Sequence, residues 1–124
     1  MSSAGNSKAY ISIPFGKGHA NGNDFIFLYS HHLPQGHKID RLVKKLCSRH
    51  TGIGADGLFV ISSSKKYDFI LDYYNADGSW ETLCGNGSRC AIKFMDQEGY
   101  IEGQAKFKTG DGTHFAKILS NGNV

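Results

Sequence analysis

Asn75-Ala76-Asp77-Gly78-Ser79-Trp80-Glu81-Thr82-Leu83-Cys84-Gly85-Asn86-Gly87-Ser88-Arg89-Cys90 is the stretch around which the chain is organised. It follows a strand-like run, turns at Asp77-Gly78, the strongest short hairpin signal in the chain, and leads Cys84 to the start of a helix. The first amides of a helix lack intrahelical partners and carry a partial positive charge. A cysteine there leans toward its thiolate, and the amides behind it can hold an anion. Gly85 and Gly87 clear the approach to those amides, and Asn86 adds a polar side chain. A carboxylate held there would lie close to the sulfur, so Cys84 is a candidate for moving a proton on a small acidic substrate. A buried cysteine beside an ordinary glycine turn fits the same residues.

Working outward, Tyr67 to Tyr74 alternates, with Tyr67, Phe69, Leu71 and Tyr73 on one face of a strand. Downstream, Ser88 to Glu98 reads as a helix with a buried stripe at Ala91, Phe94 and Met95 and a C-terminal cap at Gly99. Cys90 lies on this helix and reads as structural. Gln104 to Thr109, a Gly-Asp-Gly turn and Thr113 to Leu119 form a final hairpin. Upstream, Ala9 to Phe15 reads as a first strand, Gly16 to Asn23 as a glycine-rich loop, and Asp24 to Tyr29 as a buried strand. Ile39, Leu42, Val43 and Leu46 fall at helical spacing, with Cys47 beside that face as a small buried hydrophobe. Thr51 to Gly57 is a glycine-rich connection, and Leu58 to Ile61 is a short strand. The layout is α+β rather than βαβ alternation.

Composition bounds the rest. One domain's worth of chain, 124 residues with 40% apolar side chains and eight Phe, can build a core. The sixteen glycines punctuate alternating apolar segments, so disorder is not expected beyond a disordered or appended tail over residues 1–8; residues 9–124 are expected to form the domain. The net charge of +3 is spread out. Lys44-Lys45 and Lys65-Lys66 read as solvated surface, so nucleic acid is not an expected partner. No segment suggests a signal peptide or a membrane span, and three cysteines without a C-x-x-C pair point to a reducing, cytoplasmic setting with no structural zinc.

Other chemistries have weaker support. Neither glycine–lysine step near the first loop has the rest of a P-loop. His31, His32 and His37 lack carboxylate or cysteine partners at metal-ligand spacing, so a solvated loop explains them and no metal is expected. Cys–His nucleophilic catalysis would need His19 or His50 to reach Cys84; these read equally as a loop residue and a helix C-terminal residue. Asn23, Asn75 and the Gly52–Gly57 loop stand at strand ends, where an asparagine either caps a turn or binds a polar substrate group.

Four motifs stand in order: Phe15-x-Lys17-x-His19-x-x-Gly22-Asn23-Asp24-Phe25, then Gly52-Ile-Gly-Ala-Asp-Gly57, then Tyr74-Asn75-Ala-Asp-Gly-Ser79, then Cys84-Gly-Asn-Gly-x-Arg89-Cys90. Each is weak alone. Together, over roughly residues 10 to 119, they resemble diaminopimelate epimerase. The resemblance implies one half of a pseudo-symmetric fold, a curled, mostly antiparallel sheet around a central helix. It also implies a cofactor-independent enzyme of lysine and cell-wall biosynthesis that converts LL-2,6-diaminopimelate to the meso isomer. In that family two cysteines face each other across the substrate α-carbon, one as thiolate base and one as thiol acid. Cys84 matches the first, Gly85 and Asn86 match positions whose amides hold the α-carboxylate, and Asn23 and Asn75 match substrate-contacting asparagines. Lys17 and His19 belong to the motif without a catalytic task, and some relatives carry glutamine where Gly57 stands.

Length is the main departure. Family members have two similar halves, and the second supplies the other cysteine from its own glycine-flanked element. Cys47 and Cys90 lack that context. The chain therefore reads as an N-terminal half, inactive or nearly so alone. Its expected partners are the substrate and either a second copy or a complementing C-terminal half. The alternatives are a non-catalytic binding or interaction domain on the same scaffold, or a related isomerase of the proline racemase-like or phenazine-pathway type. The Asn-Ala-Asp-Gly and Cys-Gly-Asn-Gly pair favours the diaminopimelate branch.

Overall fold

The computed structural model describes residues 12–36, 38–82 and 85–124. Cys84 and Leu83 lie outside the described residues, as do His37 and the segment before Ser12. In chain order the elements are β1 (Gly16–Ala20), β2 (Asn23–Tyr29), α1 (Ile39–Cys47), β3 (Gly57–Ser62), β4 (Phe69–Asn75), β5 (Trp80–Glu81), α2 (Gly85–Gln97), β6 (Gln104–Thr109) and β7 (Gly112–Lys117). Among the described residues the strands make one seven-stranded sheet in the order β1-β2-β3-β4-β6-β7, with β5 also pairing β4. Pairing is antiparallel except for β2 with β3 and β4 with β6. The architecture is α+β with a mixed, mostly antiparallel sheet. Its two parallel pairings are the exception to the simple antiparallel layout, and each spans a helical crossover: α1 between β2 and β3, α2 between β4 and β6.

The continuous apolar run of β2 has its reason here. Phe25 and Phe27 join a core with Phe59, Ile61, Phe69, Leu71, Tyr73 and the α2 residues Ala91, Ile92 and Met95. Ile26 and Leu28, pointing the other way, join a second core with Leu58, Val60 and the α1 residues Val43 and Cys47. The strand is buried on both faces, so neither face can be polar. The helix expected from Ile39 thus packs one face of the sheet, with its stripe and Cys47 inward.

Of the strand expected over Ala9–Phe15, residues 9–11 lie outside the described residues. Residues 12–15 are irregular, and β1 runs Gly16–Ala20, within what reads as a glycine-rich loop. Ala20 pairs with Asn23, leaving Asn21 and Gly22 as a two-residue hairpin loop with φ of 52° and 84°. Those are the left-handed angles of a type I′ turn, which Asn-Gly favours. The β1 glycines serve packing: a Cβ on Gly16 would enter the Phe94 ring, and one on Gly18 would lie 2.8 Å from Cys90 Sγ. Glycine lets α2 lie close against this strand. Asp77-Gly78 does close the β4–β5 hairpin, as a three-residue loop in which Gly78 takes φ 91° and donates to the Asn75 carbonyl at 2.9 Å.

Helix α2 starts at Gly85, three residues before the expected Ser88. It ends as expected: Gly99 has φ 78° and donates to Asp96 O, while Tyr100 donates to Met95 O at 2.9 Å. That pair of bonds is a Schellman cap. The β6–β7 hairpin follows with Thr109 opposite Gly112.

Phe59 is fully buried and stacks between β2 and β4, whereas Phe115 on the edge strand is 77% exposed. Phe59→Ala should destabilise by about 3–5 kcal/mol, and Phe115→Ala by no more than about 0.5 kcal/mol, read as shifts in urea midpoint. Similar shifts for both would contradict this placement of the core.

Candidate active site

Most of the residues expected to act on substrate come to one end of the sheet. Phe25 of β2 pairs with Gly57 of β3, and Gly57 pairs with Asn75 of β4, so one row crosses three strands. Asn23 lies two residues before Phe25 and therefore on the same face, the face covered by α2. Asn75 shares the face of Tyr73, which also packs toward α2. Asn23 is exposed and Asn75 half-buried. The first turn of α2 sits over this row: a Cβ on Gly87 would lie 2.7 Å from the Phe59 ring and 3.2 Å from the Phe25 ring. Gly57 likewise has the Tyr73 phenol against the position a side chain would take. The glycines at 57 and 87 are thus positions of close approach. A glutamine at 57 would need Tyr73 to move.

Helix α2 has no acidic residue in its first turn, so no side chain of its own competes for an anion there. Gly85 and Asn86 are its first two residues. Cys84, which precedes Gly85, lies outside the described residues. Asn75 is held by its turn, with its backbone N–H donating to Ser79 O at 2.8 Å and its side-chain amide donating to Ser79 Oγ at 3.2 Å.

A charged cluster that the sequence reading did not assemble braces this end of the sheet. The Arg49 guanidinium forks onto Asp24, with Nη2 to Oδ1 at 2.8 Å and Nη1 to Oδ2 at 3.1 Å, and also reaches Asp56 Oδ1 at 3.2 Å. Asp24 and Asp56 hold each other reciprocally. The Asp56 N–H donates to Asp24 Oδ1 at 2.9 Å, and the Asp24 N–H donates to Asp56 Oδ2 at 3.1 Å. Lys17 pairs with Asp24 Oδ2 at 3.2 Å and donates to the Gly54 carbonyl. The Arg49 hydrogen bonds hold the Asp24 carboxyl well below the usual carboxylate range, against an opposing desolvation, with Lys17 adding to the effect. Lys17, an orphan of the first motif, therefore has a structural task. Arg49 had no signal of its own, because it is one arginine in a polar turn 25 residues from its carboxylate partner in sequence.

The remaining candidates are elsewhere. Cys47 is in the core on the opposite face of the sheet, its thiol pushed up to about 11 chiefly by burial. Cys90 faces Gly18 of β1, and burial raises its thiol too. His19 pairs with Asp24 in the β1–β2 ladder and borders a cavity of about 290 Å³ with Asn21, Arg89, Cys90 and Lys93. His50 follows α1 in the turn rather than ending the helix. The His31 and His32 rings lie with centroids 4.0 Å apart, tilted by 56°, in a short 3₁₀ turn, Ser30–His32. Among the described residues no helix is long and apolar enough to cross a membrane, and no group of three or more His, Cys, Asp or Glu is placed to hold a metal.

A sequence model of the family described as diaminopimelate epimerase matches residues 15–124. The chain belongs to the diaminopimelate epimerase family. Among similar curated proteins, the diaminopimelate epimerase of Alkaliphilus metalliredigens is 44% identical over 92 residues, which is 74% of this chain and 32% of that protein. That of Aquifex aeolicus is 37% identical over 117 residues, covering 87% of this chain and 42% of the relative. That of Campylobacter jejuni strain 81116 is 45% identical over 101 residues, 80% of this chain and 39% of the relative. The chain thus spans between about a third and two fifths of the length of these epimerases. Two solved structures share the fold: methylitaconate-delta-isomerase, with TM-score 0.69 and 18% identity over 90% of this chain and 61% of that one, and a PhzF-family phenazine biosynthesis protein of Bacillus anthracis, with TM-score 0.64 and 19% identity over 89% of this chain and 36% of that one.

The depressed carboxyl of Asp24 gives a signed pH prediction. A carboxyl lowered in the folded state adds stability above its unfolded value, about 4, that is lost as pH falls through the folded value. The stability excess of wild type over Asp24→Asn should be full at pH 7 and clearly smaller at pH 3, read by urea unfolding. An excess undiminished at pH 3 would contradict the assignment.

Proposed function

We propose that this chain is the N-terminal catalytic half of a cofactor-independent diaminopimelate epimerase. The observation that carries the reading is the convergence of Asn23, Asn75 and the first turn of α2 at one end of the sheet, in a chain of that family. The α-carboxylate of LL-2,6-diaminopimelate sits on the amides of Gly85 and Asn86, where the helix N-terminus favours negative charge. Asn23 and Asn75 contact the substrate's polar groups and fix its orientation. The thiolate of Cys84 removes the α-proton, and the electron pair of the broken C–H bond is delocalised into the carboxylate held by the helix. A thiol on the opposite face then delivers a proton to the α-carbon and completes the inversion.

That second thiol is supplied from outside this chain, by a second half or another copy. Cys47 is on the wrong face of the sheet, and Cys90 packs against β1. Alone, the chain can exchange the α-proton but not invert the centre. The setting is cytoplasmic, and residues 9–124 make up the domain.

Incubation of the chain with LL-2,6-diaminopimelate in deuterated water should give slow α-deuteration with retained configuration, and Cys84→Ala should abolish it. Asn75→Ala should slow it by about 10²-fold, the usual loss for one oriented polar group at a reacting centre. Complete epimerisation by verified monomer, or undiminished exchange in Cys84→Ala, would overturn the reading.

A further inference from the structure

The two asparagines of the proposed site sit at the ends of different strands; Asn75 is paired with Gly57 in the ladder, whereas the β2–β3 ladder begins at Phe25, so Asn23 lies beyond it. Asn23 opens β2, immediately before Asp24, and Asn75 closes β4, immediately before Ala76. Asp56 connects both. Its carboxylate accepts the Asp24 N–H and its N–H donates to the Asp24 carboxylate, while its own carbonyl accepts the Ala76 N–H at 3.1 Å. Arg49 then spans both carboxylates with one guanidinium. Gly54, in the loop that carries Asp56, closes tightly over the Arg49 backbone, where an added Cβ would lie 3.2 Å from its Cα.

We propose that Arg49, Asp24 and Asp56 form a positioning clamp that fixes the separation of Asn23 and Asn75 and so sets the geometry of the substrate site. The inference rests on the reading of those asparagines as substrate contacts. None of the three clamp residues touches substrate. Each acts through the backbone of a neighbour: Asp24 through Asn23, Asp56 through Ala76 and Asn75, Arg49 through both acids. A guanidinium is required because only a planar fork can satisfy one carboxylate with two parallel bonds while reaching a second. A lysine at 49 keeps the charge and loses that geometry. Lys17 reinforces Asp24 from β1 and bonds the Gly54 carbonyl; among the described residues it makes no bond to Asp56 or to the β4 end.

The side chain of Arg49 is 55% exposed, so a small cation can enter its place once it is truncated. The test therefore compares wild type, Arg49→Ala, and Arg49→Ala in millimolar guanidinium or ethylammonium. Two quantities are read: amide hydrogen exchange at Asp24, Asp56 and Ala76, and calorimetric affinity for LL-2,6-diaminopimelate. In Arg49→Ala, exchange at all three amides should rise and affinity should fall roughly ten-fold or more, the scale of a misplaced binding group. Guanidinium should restore both, and ethylammonium neither. If Arg49→Ala does not fold, Arg49→Lys replaces it, with the same losses expected.

Faster exchange at Asp24 and Asp56 with no change at Ala76 or in affinity would overturn the clamp and reduce the cluster to local stability. Equal rescue by both cations would show that charge alone matters and would also overturn it. Wild type without affinity for the substrate, despite protected amides, would instead overturn the site assignment on which the clamp rests.

Discussion

Strand β2 must be buried on both of its faces at once, and the placement of the other elements follows from that demand. Phe25 and Phe27 need a partner on one side, and Ile26 and Leu28 need one on the other. Helix α1 covers the second pair and α2 the first. A helix on each face comes with the two parallel pairings, β2 with β3 and β4 with β6, since parallel neighbours require a crossover. The end of the sheet that carries Asn23 and Asn75 is shaped by the same packing. Helix α2 can cover Phe25 and Phe59 only if its first turn comes close, and glycine at 87 permits that approach.

The first turn of α2 has no acidic side chain, and its first residues are glycine, asparagine and glycine. The same close packing sets Gly87, in that first turn, against the Phe25 and Phe59 rings. Opposite the sheet, Cys47 is enclosed in apolar surroundings that disfavour its thiolate. Cys90, on α2, packs against Gly18 of β1, and burial raises its thiol as well.

Much of this was readable in the sequence because it is local. The period of Ile39, Leu42, Val43 and Leu46, the alternation of Phe69, Leu71 and Tyr73, and Gly99 as a cap each depend on a few adjacent residues. What the sequence obscured depends on distant contacts. Gly16-Lys-Gly-His-Ala20 reads as a loop because glycine disfavours strands, yet Phe94 and Cys90, more than seventy positions away, occupy the space its side chains would fill. The Asn21-Gly22 turn, by contrast, is a local signal of the same kind as Asp77-Gly78. Asn23 and Asn75 stand in motifs a resemblance can point to, whereas the Arg49–Asp24–Asp56 cluster that joins their strands leaves no local signal, since its members are separated by up to 32 residues.

The central claim is that one end of this sheet is a half-site for a diaminopimelate α-carboxylate. Titrating ¹⁵N-labelled chain with LL-2,6-diaminopimelate and following amide chemical shifts tests it most directly. The account predicts the largest shifts at Asn23, Asn75, Gly85 and Asn86. Shifts gathered instead around His19, Arg89 and Lys93, the cationic cavity beside β1, would contradict it.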